Sequence, residues 1–287
     1  MKIISEKDIS RLIRYKDLVA QLKSGFADEQ VSVPKRLHLD LPNDNISLVM
    51  PAWNDRYYGL KQIIACPHNP QKNLPTIQGK FDLFDVNNGN HLASIDAKKL
   101  TAVRTAVTSV LASTYFVSNP KKLVILGKGV VAMHLKEAYQ AYYNLDEVVI
   151  WNRANEENID LEKEISDADI VSCATHAYEP ILKGQWVTRS LHVDLVGSYK
   201  PNMREADDDL ISKCQIYIDD APAMKECGDL AIPLKEGTIT EDDIKGNLFE
   251  LCRNRIQVSP SMQPTLFKSV GHAIEDLTAA IYFYEVA

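Results

Sequence analysis

The chain has 287 residues, 45% hydrophobic and 25% charged, an ordinary balance for a globular protein with one large core or two smaller ones. A formal net charge of -7, with no basic cluster, argues against nucleic acid as the main partner. No apolar stretch approaches the roughly 20 residues that span a bilayer, and Met1 to Asp8 carries acids where a signal peptide would be apolar, so no membrane partner is expected.

Residues 6–26 read as a short helix, followed by strand-like segments at 33–39, 46–50, 58–64, 77–84 and 91–95. Asn87-Asn88-Gly89-Asn90 between the last two is a hairpin signal, because Asn-Gly accepts the positive φ of a tight turn. An antiparallel layer is therefore expected here. In residues 100–116, Val103, Ala106, Val107, Val110, Leu111 and Thr114 recur at helical spacing and form a packing face. Thr101, Arg104, Thr105 and Thr108 fall on the opposite face, and Asn119-Pro120 then breaks the chain at a natural domain entry.

The next segment carries the strongest local signal. Leu123-Val124-Ile125-Leu126 reads as a buried strand, Gly127-Lys128-Gly129-Val130-Val131-Ala132 follows, and residues 132–143 have helical spacing. A second apolar run, Val148-Val149-Ile150, ends in Trp151-Asn152-Arg153. Strand, Gly-x-Gly-x-x-Ala, helix and strand in that order suit a dinucleotide. The glycines allow a tight turn and a close backbone approach to pyrophosphate, which faces the helix N-terminus. An acid at the end of the second strand would bind the ribose hydroxyls of NAD and repel a 2′-phosphate. Asn152 and Arg153 stand there instead, which favours NADPH, with NADH as the alternative if Glu156 or Glu157 takes the ribose. Lys128 either adds attraction to the pyrophosphate or points to solvent.

Helical residues 162–166 and strands at 170–174, 191–196 and 216–219 continue the alternation and predict an open parallel sheet. Residues 267–284 read as a last helix with Val270, Ile274, Leu277 and Ile281 on one face. Ser198 and His176 lie just after strand ends, where such sheets place ligands. Asp207-Asp208-Asp209 suits a helix start. His38, His176 and His272 have no ligand-like spacing, so no metal is expected. The five cysteines, odd in number and widely spaced, suit free thiols in a reducing cytoplasm, with a catalytic thiol as the less favoured reading.

Taken together, Gly59-Leu60-Lys61, Leu100-Thr101-Ala102-Val103-Arg104-Thr105-Ala106, the glycine turn, Gly197-Ser198-Tyr199-Lys200-Pro201-Asn202-Met203-Arg204-Glu205, Cys227-Gly228-Asp229-Leu230 and Phe267-Lys268-Ser269-Val270-Gly271 resemble the ornithine cyclodeaminase/μ-crystallin family. These motifs run in family order over nearly the whole chain. Met50-Pro51-Ala52-Trp53 and the Gly197 segment look most like the Δ1-pyrroline-2-carboxylate reductases within that family. The resemblance implies an α/β chain: a Rossmann nucleotide-binding domain, residues 119–263, inserted in an α+β substrate and dimerisation domain of residues 1–118 plus 264–287. It also implies a homodimer that transfers hydride at an α-carbon bearing nitrogen and a carboxylate.

By the same resemblance, Arg36, Lys61 and Arg104 bind the small imino-acid substrate, and Lys61 is also catalytic. Arg104, Thr105, Gly127, Gly129, Val130, Val131, Asn152, Arg153, Ala174, Thr175 and Ser198 would contact the cofactor. Asp229 matches a family motif but is also readable as a loop-fixing residue. One position departs from the cyclodeaminases: Tyr199 stands where they carry an aspartate, and a phenol of pKa near 10 is no substitute for a carboxylate base. The expected reaction is NADPH-dependent reduction of Δ1-pyrroline-2-carboxylate to proline, or of the six-membered piperideine analogue. Ornithine cyclodeaminase, amino-acid dehydrogenase and a non-catalytic NADPH-binding protein are the rivals.

Overall fold

Two sheets with different pairing rules organise the chain. The computed structural model describes residues 1–258 and 262–287, in two compact units: Met1–Arg104 with His272–Ala287, and Thr105–Gly271. The first unit holds β1 (Lys2–Ile4), α1 (Glu6–Leu12), α2 (Tyr15–Ala27), β2 (Leu37–Leu41), β3 (Asn45–Trp53), β4 (Tyr57–Ala65), β5 (Ile77–Asp85) and β6 (His91–Asp96). The unit boundary falls inside α3 (Ala97–Ser113). The second unit continues with β7 (Lys122–Leu126), α4 (Val130–Tyr142), β8 (Glu147–Trp151), α5 (Leu161–Ser166), β9 (Ile170–Cys173), β10 (His192–Leu195) and α6 (Asp208–Lys213). It is completed by β11 (Gln215–Ile218), α7 (Ala223–Glu226), α8 (Gly228–Glu236), β12 (Ile244–Asn247), α9 (Leu248–Cys252) and β13 (Thr265–Lys268). The final helix, α10 (Ala273–Val286), belongs to the first unit.

The first sheet runs β1-β6-β5-β4-β3-β2, antiparallel from β6 to β2, with β1 added in parallel to β6. The hairpin expected at residues 87–90 joins β5 and β6, with Gly89 at φ 73. Helix α10 packs across β3, β4 and β5, so alternate residues of those strands, among them Met50, Phe81 and Leu83, are buried beneath it. The helix expected at 6–26 is two helices. Ile13 and Arg14 are extended, and the Arg14 amide donates to the Tyr282 hydroxyl at 3.2 Å, a partner that local periodicity does not reveal.

The second sheet is parallel throughout, in the order β12-β11-β13-β10-β9-β7-β8. From β7 the order runs one way to β8 and the other way to β9, so the ligand-binding switch point lies between β7 and β9. The C-terminal expectation needs correcting. Residues 265–268 are not helical; they form a strand between β10 and β11, all four residues buried, and the helix begins only at Ala273. A short apolar run can satisfy both helical and strand spacing, and here the vacant sheet position decides. Residues 264–271 therefore belong to the nucleotide-type unit rather than the first, and so do residues 105–118 of the expected first domain. Among the described residues no helix is long and apolar enough to cross a membrane.

Candidate active site

Strand alternation turns Lys61 of β4 toward α10, in the row of Met50 and Phe81, and leaves it 1% exposed. Its Nζ donates to Asp276 Oδ2 at 2.5 Å. Arg104 of α3 meets the same carboxylate, Nε to Oδ1 at 3.1 Å, and its Nη1 donates to Glu275 Oε2 at 2.7 Å. Two cations and two anions are thus held out of water, with Glu275 and Asp276 fully buried. Such a group survives burial only when each charge is paired and hydrogen-bonded. The first turn of α10 sets the acids in place through a capping box. His272 Nδ1 accepts from the Ile274 amide, and Glu275 Oε1 accepts from the His272 amide.

The electrostatics are asymmetric. Burial, reinforced by the Arg104 charge, draws the Lys61 ammonium down to about 8 even though Asp276 and Glu275 oppose it. Burial pushes Asp276 upward, but Lys61 and Arg104 overcome that and hold it below the ordinary carboxylate range. The result is an ammonium poised to lose its proton near neutrality beside a carboxylate that stays ionised. Asp276 is the sole partner of Lys61 Nζ among the described residues, which leaves N–H donors on the ammonium. One turn before Arg104, Thr101 Oγ1 is buried with no partner among the described residues.

Arg36 is half-buried in the extended stretch before β2. The last β2 pair is Leu37 with Val49, and Met50 pairs with Lys61. The ladder stops at Leu37, and the next bridge, Ser32 with Trp53, is out of register with it by one residue, so Arg36 lies in the irregular stretch between them.

In the second unit, β7 is followed directly by Gly127, whose φ is 131. A Cβ there would lie 2.5 Å from the Ala174 carbonyl oxygen, so the loops after β7 and β9 touch at the switch point only because residue 127 is glycine. Gly129 is the N-cap of α4 and offers no side-chain cap, and a Cβ built on it meets nothing within 4 Å. The amides of Val130 and Val131 therefore open α4 toward free space, the arrangement that receives a phosphate. A pyrophosphate fits these residues. At the end of β8, Asn152 is spent locally, its amide on Asn155 Oδ1 and its own Oδ1 on the Ala154 amide. Arg153 is exposed and without a partner among the described residues, and Lys128 is exposed in the glycine turn.

The loops after β9 and β10 are fastened from behind. Thr175 donates its amide and its hydroxyl to Glu205 Oε1 at 2.8 and 2.9 Å. The Gly197 and Ser198 amides donate to Glu205 Oε2 at 2.7 and 3.2 Å. Ser198 is fully buried with its hydroxyl turned inward to the Met203 carbonyl, so it faces the loop interior rather than open space. Asp229, at the start of α8, accepts the Glu205 and Ala206 amides on Oδ1 and the Lys268 ammonium on Oδ2.

Within the first unit the structure brings Lys61 and Arg104 together through Asp276. Within the second it groups Gly127, Ala174, Thr175 and Ser198. Thr105 begins the second unit's share of α3 and is half-buried. Tyr199 and His176 are exposed neighbours, their rings 6.2 Å apart. Cys173, Cys214 and Cys227 are buried, and burial pushes the thiols of the latter two up to about 12 and that of Cys173 far up as well, which removes them as nucleophiles. Among the described residues no group of three or more His, Cys, Asp or Glu is placed to hold a metal. Sequence reasoning did not single out Glu275, Asp276 or Glu205 for a role. The one available signal was an acid pair three and four residues after His272, at a helix start.

Comparison with known proteins agrees with this organisation. The profile of the ornithine cyclodeaminase/mu-crystallin family matches residues 1–160 and 158–287. Protein SAR DEFICIENT 4 of Arabidopsis thaliana is 34% identical over 283 residues, covering 89% of this chain and 87% of that protein. Delta(1)-pyrroline-2-carboxylate reductase of Colwellia psychrerythraea is 30% identical over 308 residues, covering 98% and 97%. Among solved structures, Thermococcus litoralis Delta(1)-pyrroline-2-carboxylate reductase in complex with NADH and L-proline superposes with a TM-score of 0.91 at 27% identity, over 100% of this chain and 97% of that one. The chain belongs to the ornithine cyclodeaminase/mu-crystallin family.

Proposed function

We propose that this protein is an oxidoreductase of CH–NH groups that reduces a small cyclic imino acid, Δ1-pyrroline-2-carboxylate above all, with NADPH as the hydride donor. The observation that carries the reading is the buried Lys61–Asp276–Arg104 cluster, a cation pair balanced so that one member gives up a proton near neutral pH while the other cannot. The likeness to reductases of this name and to a structure holding NADH and proline supports both the nicotinamide cofactor and the substrate class. The preference for NADPH over NADH rests on Arg153, an exposed guanidinium where an NAD-binding chain would place an acid.

The chemistry follows from the charges. Bound nicotinamide supplies the hydride. Arg104, fixed by two carboxylates, presents a guanidinium whose orientation is set before substrate arrives, and Arg36 adds a second group for the substrate carboxylate. Lys61 donates a proton to the imine nitrogen, which makes the adjacent carbon electrophilic. Hydride addition there then yields the neutral secondary amine, and Lys61 recovers its proton from water. Asp276 remains ionised throughout and holds the lysine in place. Tyr199 supplies no carboxylate for the water and amine steps of cyclodeamination.

The reading extends to a cytoplasmic homodimer, and five free thiols suit that compartment. The sheet face turned away from α10 supports the dimer. Leu37, Leu39 and Leu41 of edge strand β2 are exposed, as are Trp53 and Ile64, and such an apolar face next to an unpaired edge calls for a partner.

The test is NADPH oxidation at 340 nm with Δ1-pyrroline-2-carboxylate, run beside NADH and beside ornithine with NAD. The expected result is rapid oxidation with the imine, faster with NADPH, and loss of turnover in Lys61→Ala with NADPH affinity kept. Ammonia release from ornithine, or equal turnover in Lys61→Ala, would overturn it.

A further inference from the structure

We propose that Glu205 is a positioning residue for the nicotinamide end of the cofactor, an ionised clamp that ties the loops after β9 and β10 into one rigid lip. The inference rests on the reductase reading above. Its warrant is the four donors that converge on one carboxylate: the Thr175 amide and hydroxyl on Oε1, the Gly197 and Ser198 amides on Oε2. Two oxygens with four donors have no room for a proton, so the clamp exists only as carboxylate.

The clamp is itself held rigidly. The Glu205 carbonyl accepts the Ile181 and Leu182 amides, and its own amide is bound by Asp229. Nothing between the two loops leaves slack, since a Cβ on Gly197 would lie 2.0 Å from the Thr175 carbonyl oxygen and 2.5 Å from Glu205 Oε1. These loops leave the C-terminal ends of β9 and β10, beside the switch point, whereas Gly127, Gly129 and α4 form the phosphate end. Losing the clamp therefore frees the nicotinamide end and spares the phosphate end.

The charged and titratable groups facing Glu205 are Asp229 of α8, Lys268 of β13 and the Cys173 thiol of β9. Burial pushes the Glu205 carboxyl up to about 7, with Lys268 and the Thr175 bonds opposing and Asp229 adding to the rise. The clamp is thus closed above neutrality and opens as pH falls through about 7.

The experiment compares the affinity of NADPH with that of 2′-phospho-ADP-ribose, which keeps the phosphates and lacks the nicotinamide, for wild type, Glu205→Gln and Glu205→Asp. Glu205→Gln should weaken NADPH about tenfold or more while the fragment stays within about twofold, and Glu205→Asp should recover part of the loss. In wild type the NADPH-to-fragment affinity ratio should fall between pH 8 and pH 6, a measurement that needs no variant to fold, and in Glu205→Gln it should be flat. Equal weakening of both ligands, or a wild-type ratio indifferent to pH, would overturn the clamp while leaving the reductase reading intact. Wild type that binds neither ligand would overturn both.

Discussion

Replacing Asp276 with asparagine tests the active-site reasoning most directly, because it removes one charge and almost no volume. Asp276 faces Lys61 at 2.5 Å and Arg104 at 3.1 Å and is itself fully buried. An opposite charge this close is worth about 1–3 pKa units to an ammonium, so Lys61 should move from about 8 toward roughly 5–7. At pH 7.5 the protonated fraction would then drop from about three quarters to a few per cent at the middle of that range. The sign follows: imine reduction consumes the ammonium form, so wild-type turnover should fall as pH rises through about 8, and in Asp276→Asn the same limb should appear 1–3 units lower. Amino-acid oxidation, which needs the neutral amine, should shift in the opposite sense and gain at neutral pH. The assay is kcat against pH in both directions, with circular dichroism confirming the fold, since breaking a buried pair costs about 3–5 kcal/mol of stability. A variant that is slow at every pH with its alkaline limb unmoved would refute the claim that Asp276 sets the Lys61 proton.

Three further outcomes follow. Arg153→Ser should raise the Kd of NADPH roughly tenfold and leave NADH unchanged, from the loss of one charge-assisted contact; fluorescence titration of both cofactors checks it, and equal changes would remove Arg153 as the phosphate reader. Gly127→Ala, at φ 131 and against the Ala174 carbonyl, should cost about 1–3 kcal/mol and lower Tm, with 2′-phospho-ADP-ribose bound more weakly. Leu39→Glu, on the exposed face of β2, should convert a dimer to monomer in sedimentation, and a dimer unaffected by that charge would place the interface elsewhere.

The legible parts of this chain were those written in neighbouring residues. The glycine turn after an apolar run, the Asn-Gly hairpin and the Asp207 cap of α6 depend on contacts a few positions apart, and each stands where the pattern predicts. Lys61 and Arg104 were reached through motif resemblance, and the geometry adds that a shared carboxylate joins them. That carboxylate stayed invisible because two acids in a first helical turn already have a local reason to be there, favouring the helix dipole, and only tertiary packing buries them. Glu205 was hidden for a related reason: its donors come from positions 7, 8 and 30 residues upstream, a convergence no periodicity encodes. Phe267 and Lys268 read as the start of the last helix but end strand β13, because four buried residues carry too little pattern to separate strand from helix.

The position of β13 also bears on how the molecule is made. A ribosome releases β10 and β11 long before Thr265–Lys268, yet those two strands are separated in the finished sheet by the later one. Until that segment emerges, the second sheet has a gap at its centre, with two unpaired edges flanking it. The first unit waits longer still, since α10, which covers its sheet and carries the carboxylates for Lys61 and Arg104, follows β13 in the chain. Both units are therefore completed only after most of their strands have been made, an order that leaves strand edges unpaired during elongation.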